Sequence, residues 1–398
     1  MLNQFLSARS ARRSVPRVAI IHYWLVTMRG GERVLENLLR LFPDADVFTH
    51  VYDRNAVSDV IRAANVRTTF IQQLPGAIHR YKAYMPLMPY ALEELDLSGY
   101  DLVISSESGP AKGVLAPPMA AHICYCHSPM RYLWDHYHQY RDERGMFGKL
   151  AMSATFPALR SWDHSSAQRV DHIFANSRFI QSRVRRSWGR ESSVLHPPVP
   201  IENYAPTRDV RAEYLWVGQM TAYKRPDIAV DAFNRLRLPL LMVGEGELFD
   251  SLRQRAMPNI RFVRRLDYTA LRKAYAQCQA LVFTAEEDFG IVPVEANASG
   301  RPVIGLGRGG LRDTVIPGET GLFFETQSAE ALMSAVEEFQ RWRRHFDPAD
   351  ALNNVQRFAP EHFDRGFMKK VIELRPDLPY ELPEEEPPVP VRAVAEYA

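Results

Sequence analysis

Two carboxylates, Glu287 and Glu295, bracket a glycine in the stretch AEEDFGIVPVEANASGRPVIG (285–305). The strand-like run ALVFT (280–284) precedes them. Pro293 has no N–H and suits the first position of a helix, so the spacing predicts a helix from about Val292 with Glu295 in its first turn. Gly290, Ile291 and Val292 would then present unpaired amides at a positive helix end, an anion site. Gly290 lets a phosphate approach without a Cβ in the way. Glu295 would repel a phosphate but can accept hydrogen bonds from a ribose diol. Glu287, just before the turn, would reach hydroxyls on the far side of the phosphates. Acid, amides, acid is a pattern for a sugar–diphosphate–ribose ligand. The plainer account, two acids that merely favour the helix dipole, does not use Gly290 or the Gly309–Gly310 pair downstream.

Other residues carry chemistry of the same kind. Lys224 and Arg225 follow the strand EYLWVG (213–218). They are either ordinary surface cations or charges at a strand's carboxyl end, where Lys224 would bind a diphosphate and stabilise a leaving nucleotide. Gly30 and Gly31 open a helix at 30–41, as a simple turn or as a backbone approach to the ligand. His127 directly follows the strand HICYC (122–126); a lone histidine there is structural or contacts a sugar hydroxyl. His122, Cys124, Cys126 and His127 resemble a metal set, but strand alternation puts the two cysteines on one face and His127 on the other, so no metal is expected. The DAD at 44–46 reads as a turn before a strand. RYLWDHYHQYRDERG (131–145) mixes aromatic and charged residues, as a sugar-acceptor region or as a plain amphipathic helix.

These residues need elements to hold them. At 398 residues the chain is too long for one ordinary core. Short apolar runs alternate with longer helical periods, the rhythm of parallel βαβ units. Strands are expected at 17–21, 45–51, 101–105, 122–126 and 172–176, then at 213–218, 239–244, 260–263, 280–284, 302–306 and 321–325. Helices are expected at 30–41, 178–187, 226–236, 247–256, 269–277, 293–299 and 328–342. The Pro-rich stretch at 197–210 reads as a hinge. The resulting division is a disordered basic leader (1–16), an N-terminal domain (17–200), a C-terminal domain (201–345), a helical segment packing back on the lobes (346–375) and a disordered Pro/Glu-rich tail (376–398). Ligands of such sheets bind at the strands' carboxyl ends, so a cleft facing both domains is the expected place for chemistry.

Composition excludes several classes. Hydrophobic content of 46%, charged content of 24% and a net charge of +2 are those of a globular protein and give no case for nucleic-acid binding. Three cysteines make no disulfide framework, which fits a reducing compartment. No apolar run is long enough to span a bilayer, and the leader lacks the apolar stretch of a secretory signal. The leader's arginines could touch anionic lipid, or the segment is a solvated tail. A cytoplasmic location follows, with peripheral contact at the inner face of the membrane as the alternative to full solubility. The GxGxxG fingerprint of a dinucleotide enzyme is missing.

The Glu-x7-Glu spacing with Phe289 and Gly290 inside it resembles the signature of the retaining GT-B glycosyltransferases of family 4. VGQMTAYKRPDIAVDAF (217–233), LLMVGEGE (240–247) and GRGGLRDTVIPGETGLFF (307–324) are similar to further motifs of that family. So are IIHYWLVTMRGGERVLENL (20–38) and ANSRFIQSRV (175–184) in the first half. YMPLMPYALEELDLSGYDLVISSESGPAKGV (84–114) and YCHSPMRYLWD (125–135) resemble a subgroup, the bacterial polysaccharide and O-antigen mannosyltransferases. The resemblance implies an α/β GT-B fold of two Rossmann-like parallel-sheet domains facing a cleft. It implies a hexose, with mannose from GDP-mannose favoured over a UDP-sugar, moved with retention to an oligosaccharide or lipid-linked acceptor in polysaccharide synthesis. Glu287, Lys224 and His127 become the expected catalytic residues, His127 at the transferred sugar. Gly30, Gly31, Gln219, Arg225, Phe289, Gly290, Ile291, Val292, Glu295, Gly309 and Gly310 become the expected donor contacts, with no metal cofactor. Where the family carries Arg after the Gly of VG, this chain has Gln219, which donates hydrogen bonds but no charge. That departure supports the rival reading, a catalytically silent nucleotide-sugar-binding regulator. A GT-B phosphorylase would need a cofactor lysine site and a longer chain.

Overall fold

The computed structural model of the chain describes residues 15–142 and 144–384. The expectations for most of the basic leader, and for the tail beyond 384, lie outside the described residues. The chain divides into two compact units: one comprises the chain up to Asn176 with Ile180–Leu195 and Asp364–Pro383, the other Ser177–Phe179 and His196–Phe363.

In the first unit, seven parallel strands stand in the order β3-β2-β1-β4-β5-β6-β7. They are β1 (Val18–His22), β2 (Asp46–Thr49), β3 (Asn65–Thr68), β4 (Leu102–Glu107), β5 (Ala121–Cys126), β6 (His172–Ala175) and β7 (Ser193–Val194). Every residue of β1, β4 and β5 is buried. A parallel sheet needs its crossovers on both faces, so its central strands lose the polar-out alternation and read as continuous apolar runs. The chain winds outward from β1 to β3, then returns to lay β4 on the other side of β1. The strand order reverses between β1 and β4, which opens a crevice at their carboxyl ends. The C-terminal segment completes this unit. In the helix Pro360–Leu374, Phe367 packs on Phe42 and Phe174, and the Arg375 guanidinium donates to the carbonyls of Asp101 (2.6 Å) and Met119 (2.7 Å).

The second unit repeats the plan with β8 (Tyr214–Val217), β9 (Leu240–Val243), β10 (Ile260–Val263), β11 (Leu281–Phe283), β12 (Val303–Leu306) and β13 (Gly321–Phe324), in the order β10-β9-β8-β11-β12-β13. Alternation along these strands feeds two cores. Tyr214, Trp216, Leu240 and Met242 face one layer with Phe233 and Phe339, while Leu215, Leu241, Val243 and Leu281 face the other with Val294 and Phe358. Here the order reverses between β8 and β11.

The central strands and the helices Gly30–Leu41, Pro226–Leu236 and Ala329–Trp342 stand where the periodicity puts them. Several elements escaped it, and three bear on the site's surroundings. β3 (NVRT) is mostly exposed and lacks an apolar signal, and β7 has only two residues. The helix Met146–Ala167 contains Gly148 and Pro157, and both its buried and its exposed faces are apolar, so no single 3.6-residue stripe stands out. It replaces much of what the aromatic stretch at 131–145 suggested. Only the short helix Tyr137–Asp142 forms there, and Tyr132, Trp134 and Tyr137 pack on the cluster of Met152, Phe156 and Leu159.

Candidate functional site

In the second unit the reversal point gathers the expected residues. Lys224 lies in the loop after β8 and Glu287 in the loop after β11, the strands that flank the crevice. Lys224 Nζ is 2.8 Å from Glu287 Oε1, with both side chains about four-fifths covered. Burial alone would lower the Lys224 pKa, but the Glu287 carboxylate outweighs it and holds the ammonium above its ordinary value. A hydrogen-bond chain pins the loop: Trp216 Nε1–H donates to Thr284 Oγ1 (3.1 Å), whose hydroxyl donates to the Lys224 carbonyl (2.8 Å). Thr284 had no signal in the sequence beyond its place at a strand end.

The helix that follows Glu287 begins at Ile291, one residue earlier than Pro293 suggested, with Gly290 as its N-cap at φ 91°. Pro293 is its third residue, where a missing N–H still costs no intrahelical bond. The amides of Gly290, Ile291 and Val292 lie before the first i→i−4 bond. Glu295 therefore sits in the second turn, not the first. It is buried, and two phenols hold it: the Tyr204 hydroxyl donates to Oε1 and the Tyr275 hydroxyl to Oε2, each at 2.8 Å. Neither tyrosine was singled out in the sequence, because Tyr204 comes from the Pro-rich stretch before β8 and Tyr275 from near a helix end.

Gly309 and Gly310 pack directly against this loop. Gly310 N–H donates to the Glu287 carbonyl at 2.8 Å. A Cβ on Gly310 would stand 2.4 Å from Phe289 Cα, and one on Gly309, at φ 62°, would stand 2.4 Å from the Glu287 carbonyl oxygen. The glycine pair thus sets the position of Glu287 by close approach.

Two expected donor contacts are otherwise engaged. The Phe289 side chain is a core residue, its ring tilted against His196 and edge-on to Phe358, so it is unavailable to a ligand. The Arg225 guanidinium grips the Asp227 carboxylate through Nε and Nη2 at 2.9–3.1 Å, closing the start of its helix. Gln219 is exposed two residues past the end of β8.

In the first unit Gly31 lies beside His127, which follows β5. A Cβ on Gly31 would be 3.6 Å from His127 Nε2 and 2.4 Å from the Tyr23 hydroxyl. Gly30 is the first residue of the helix Gly30–Leu41. The Asp46 of the DAD stretch is the first residue of β2, and its carboxylate holds Tyr100, Asn65 and Arg17. Cys124 and Cys126 are buried, and His122 Nε2 is 3.0 Å from Ser105 Oγ. Among the described residues no group of three His, Cys, Asp or Glu side chains is placed to hold a metal ion.

Residues 206–345 match the family model described as Glycosyl transferases group 1, and residues 28–203 match that described as Glycosyltransferase Family 4. The chain is 30% identical over 241 residues to a GDP-mannose-dependent alpha-mannosyltransferase of Mycolicibacterium smegmatis, covering 55% of this chain and 62% of that protein. It is 35% identical over 136 residues to a glycogen synthase of Mycobacterium tuberculosis, 31% of this chain and 33% of that one. It thus spans about a third of the length of that glycogen synthase. Solved structures share the fold: Anabaena HepE in complex with UDP (TM-score 0.66, 15% identity, 90% of this chain and all of that one) and the sucrose-phosphate synthase of Thermosynechococcus elongatus (TM-score 0.69, 18% identity, 91% of this chain and all of that one).

Proposed function

The chain belongs to the group 1 glycosyltransferases of the GT-B fold, and from that premise we propose that it moves a hexose from a nucleotide-diphosphate sugar to a saccharide acceptor with retention of configuration. The observation that carries the reading is the Lys224–Glu287 pair at the β8/β11 reversal, beside the amino end of the helix Ile291–Ala298. The diphosphate would lie against the amides of Gly290, Ile291 and Val292, with Lys224 as its counter-charge. Glu295, fixed by Tyr204 and Tyr275, would accept from the ribose, and Glu287 from the hexose hydroxyls. The Gly309–Gly310 loop would border the nucleotide. For Gly30, Gly31 and His127 of the first unit the proposed roles are those the family resemblance implies: donor contact for the glycines and contact with the transferred sugar for His127.

Chemically, the bond from the anomeric carbon to the β-phosphate oxygen breaks as the acceptor oxygen attacks from the same face. The departing phosphate takes the acceptor's proton. Lys224 and the helix amides stabilise the charge gathering on that phosphate, so the protein's work is positioning and electrostatics. No metal is needed for this. GDP-mannose is the favoured donor, supported by the named mannosyltransferase relative; the UDP complex of the HepE structure keeps UDP-sugars as the alternative.

A lipid-linked acceptor at the inner membrane face has its own support. The helix Met146–Ala167 buries Met152, Phe156 and Leu159 while leaving Met146, Phe147 and Leu150 exposed at 79%, 85% and 70%. Phe147, Leu150, Ala151, Ala154 and Ala158 form an outward apolar stripe at helical spacing. Arg144 and Lys149 flank its start. Such an apolar face beside cations suits an anionic bilayer surface. Among the described residues no helix is long and apolar enough to cross a membrane.

The test is a thermal-shift screen of GDP- and UDP-sugars, followed by an assay of nucleoside diphosphate release with lipid-linked acceptors. One donor should raise the melting temperature by mass action. No shift with any nucleotide sugar would remove the proposal. Binding without release would favour the silent regulator that Gln219 suggests.

A further inference from the structure

The first unit carries a chain of buried polar side chains that the proposed transfer does not account for. His22 closes β1, Ser106 lies near the end of β4, and the two are register partners across the reversal of the strand order. His22 Nδ1 is 3.0 Å from Ser106 Oγ, and Ser106 Oγ is 2.9 Å from His127 Nε2. On the far side, His22 Nε2 faces Glu32 Oε1 at 3.8 Å, an ion-pair distance rather than a hydrogen bond. Glu32 Oε2 accepts from the Arg29 amide at 2.9 Å. His22, Ser106 and Glu32 are all at most 2% exposed. Burial works against the Glu32 carboxylate, but His22 and the backbone amides outweigh it and keep its pKa below the ordinary value.

With both imidazoles neutral, the order of these groups sets where the protons lie. A neutral imidazole carries one N–H and one lone pair. An ionised Glu32 favours the N–H on His22 Nε2, since a lone pair there would face a negative charge. His22 Nδ1 is then an acceptor and takes the Ser106 hydroxyl hydrogen. Ser106 Oγ, its hydrogen spent, can only accept from His127 Nε2–H. His127 is left with its lone pair on Nδ1. Reversing the direction would put the His22 lone pair against Glu32.

We infer that Glu32, His22 and Ser106 are positioning residues that fix the His127 ring in its Nε2–H tautomer. Gly31 borders the same device: a Cβ there would crowd the Tyr23 hydroxyl at 2.4 Å and lie in ordinary contact, 3.6 Å, with His127 Nε2. The consequence for catalysis rests on the proposed role of His127 at the transferred sugar.

The test is two-bond 1H–15N correlation of the full chain labelled with 15N-histidine, His127 being assigned by its loss in H127Q. The wild type should show the Nε2–H pattern for His127. Ser106→Ala should convert it to an averaged, mixed-tautomer signal, Ser106→Thr should restore it, and Glu32→Gln should move it toward Nδ1–H. An Nδ1–H signal in the wild type, or an unchanged signal in Ser106→Ala, overturns the inference, and the wild-type spectrum decides even if a variant fails to fold. Kinetics then separate the two claims. Ser106→Ala should lower kcat about tenfold with donor KM little changed, and Ser106→Thr should recover it. A tautomer shift without that loss would leave the positioning chain standing and remove His127 from the reaction.

Discussion

Lys224 Nζ and Glu287 Oε1 meet at 2.8 Å although they follow different strands of the second unit. They meet because β8 and β11 are neighbours at the one place where the strand order reverses. Glu287→Ala should cost about 10²–10³ in kcat, the scale of removing one charge-stabilising group. Lys224→Ala should cost at least as much, and Lys224→Arg should recover part of it. Steady-state kinetics with the donor found in the binding screen check this, with circular dichroism as control. Wild-type turnover by a folded Glu287→Ala protein would sink the role given to it.

Gly310→Ala tests the close approach behind Glu287. Its Cβ would meet Phe289 Cα at 2.4 Å, so the loop must shift. A stability loss of about 1–3 kcal/mol is expected from such overpacking, together with weaker donor binding. Calorimetry with the donor reads both. A variant that binds as tightly as the wild type would show that the pair does not set Glu287.

Acid sensitivity should come from two buried imidazoles. Burial pulls His50 down to about 3 and, with help from the nearby Arg169 and Lys112 charges, His122 to about 3. The unfolded chain takes up these protons near pH 6.5, and the folded chain does not. The stability they supply is therefore present above pH 6.5 and lost as pH falls from there toward 3. Glu107 runs the other way. Burial lifts it to about 7, against the pull of Lys112, so its contribution is present below the ordinary carboxylate value and fades as pH rises through 7. Urea titrations from pH 4 to 8 should show His50→Gln with a shallower acid limb. Glu107→Gln should lose less stability than the wild type between pH 5 and 8. Parallel curves for all three proteins would refute this assignment.

Vesicle binding tests the exposed stripe. Phe147→Glu combined with Leu150→Glu should reduce co-sedimentation with phosphatidylglycerol vesicles at least tenfold and leave the melting temperature near that of the wild type, since both side chains are exposed. Binding that is equally strong to neutral vesicles, or undiminished in the double variant, would argue against an electrostatic and apolar membrane face.

Much of this molecule was legible before any coordinates. Parallel strands buried on both faces are mostly apolar, so VAII, LVIS, HICYC and ALVF announced themselves as short apolar runs. A glycine flanked by acids at a strand end marked Glu287, Gly290 and Glu295 as one motif, and the Lys224 loop followed another strand in the same way. The missing pieces share a cause. Whether Phe289 faced outward depended on His196 and Phe358, and what holds Glu295 depended on Tyr204 and Tyr275, all from other segments of the chain. Periodicity reports how a segment meets a core, not which side chains from elsewhere it meets.

The amino-acid sequence alone determined the repeated βαβ plan and the local chemistry of each strand-end loop, because both rest on neighbours along the chain. Only the tertiary structure decided that Lys224 faces Glu287, that Tyr204 and Tyr275 hold Glu295, and that Glu32, His22, Ser106 and His127 form a line. Those pairings join segments far apart in the chain through the packing of strands, helices and loops, a long-range outcome that local spacing does not encode.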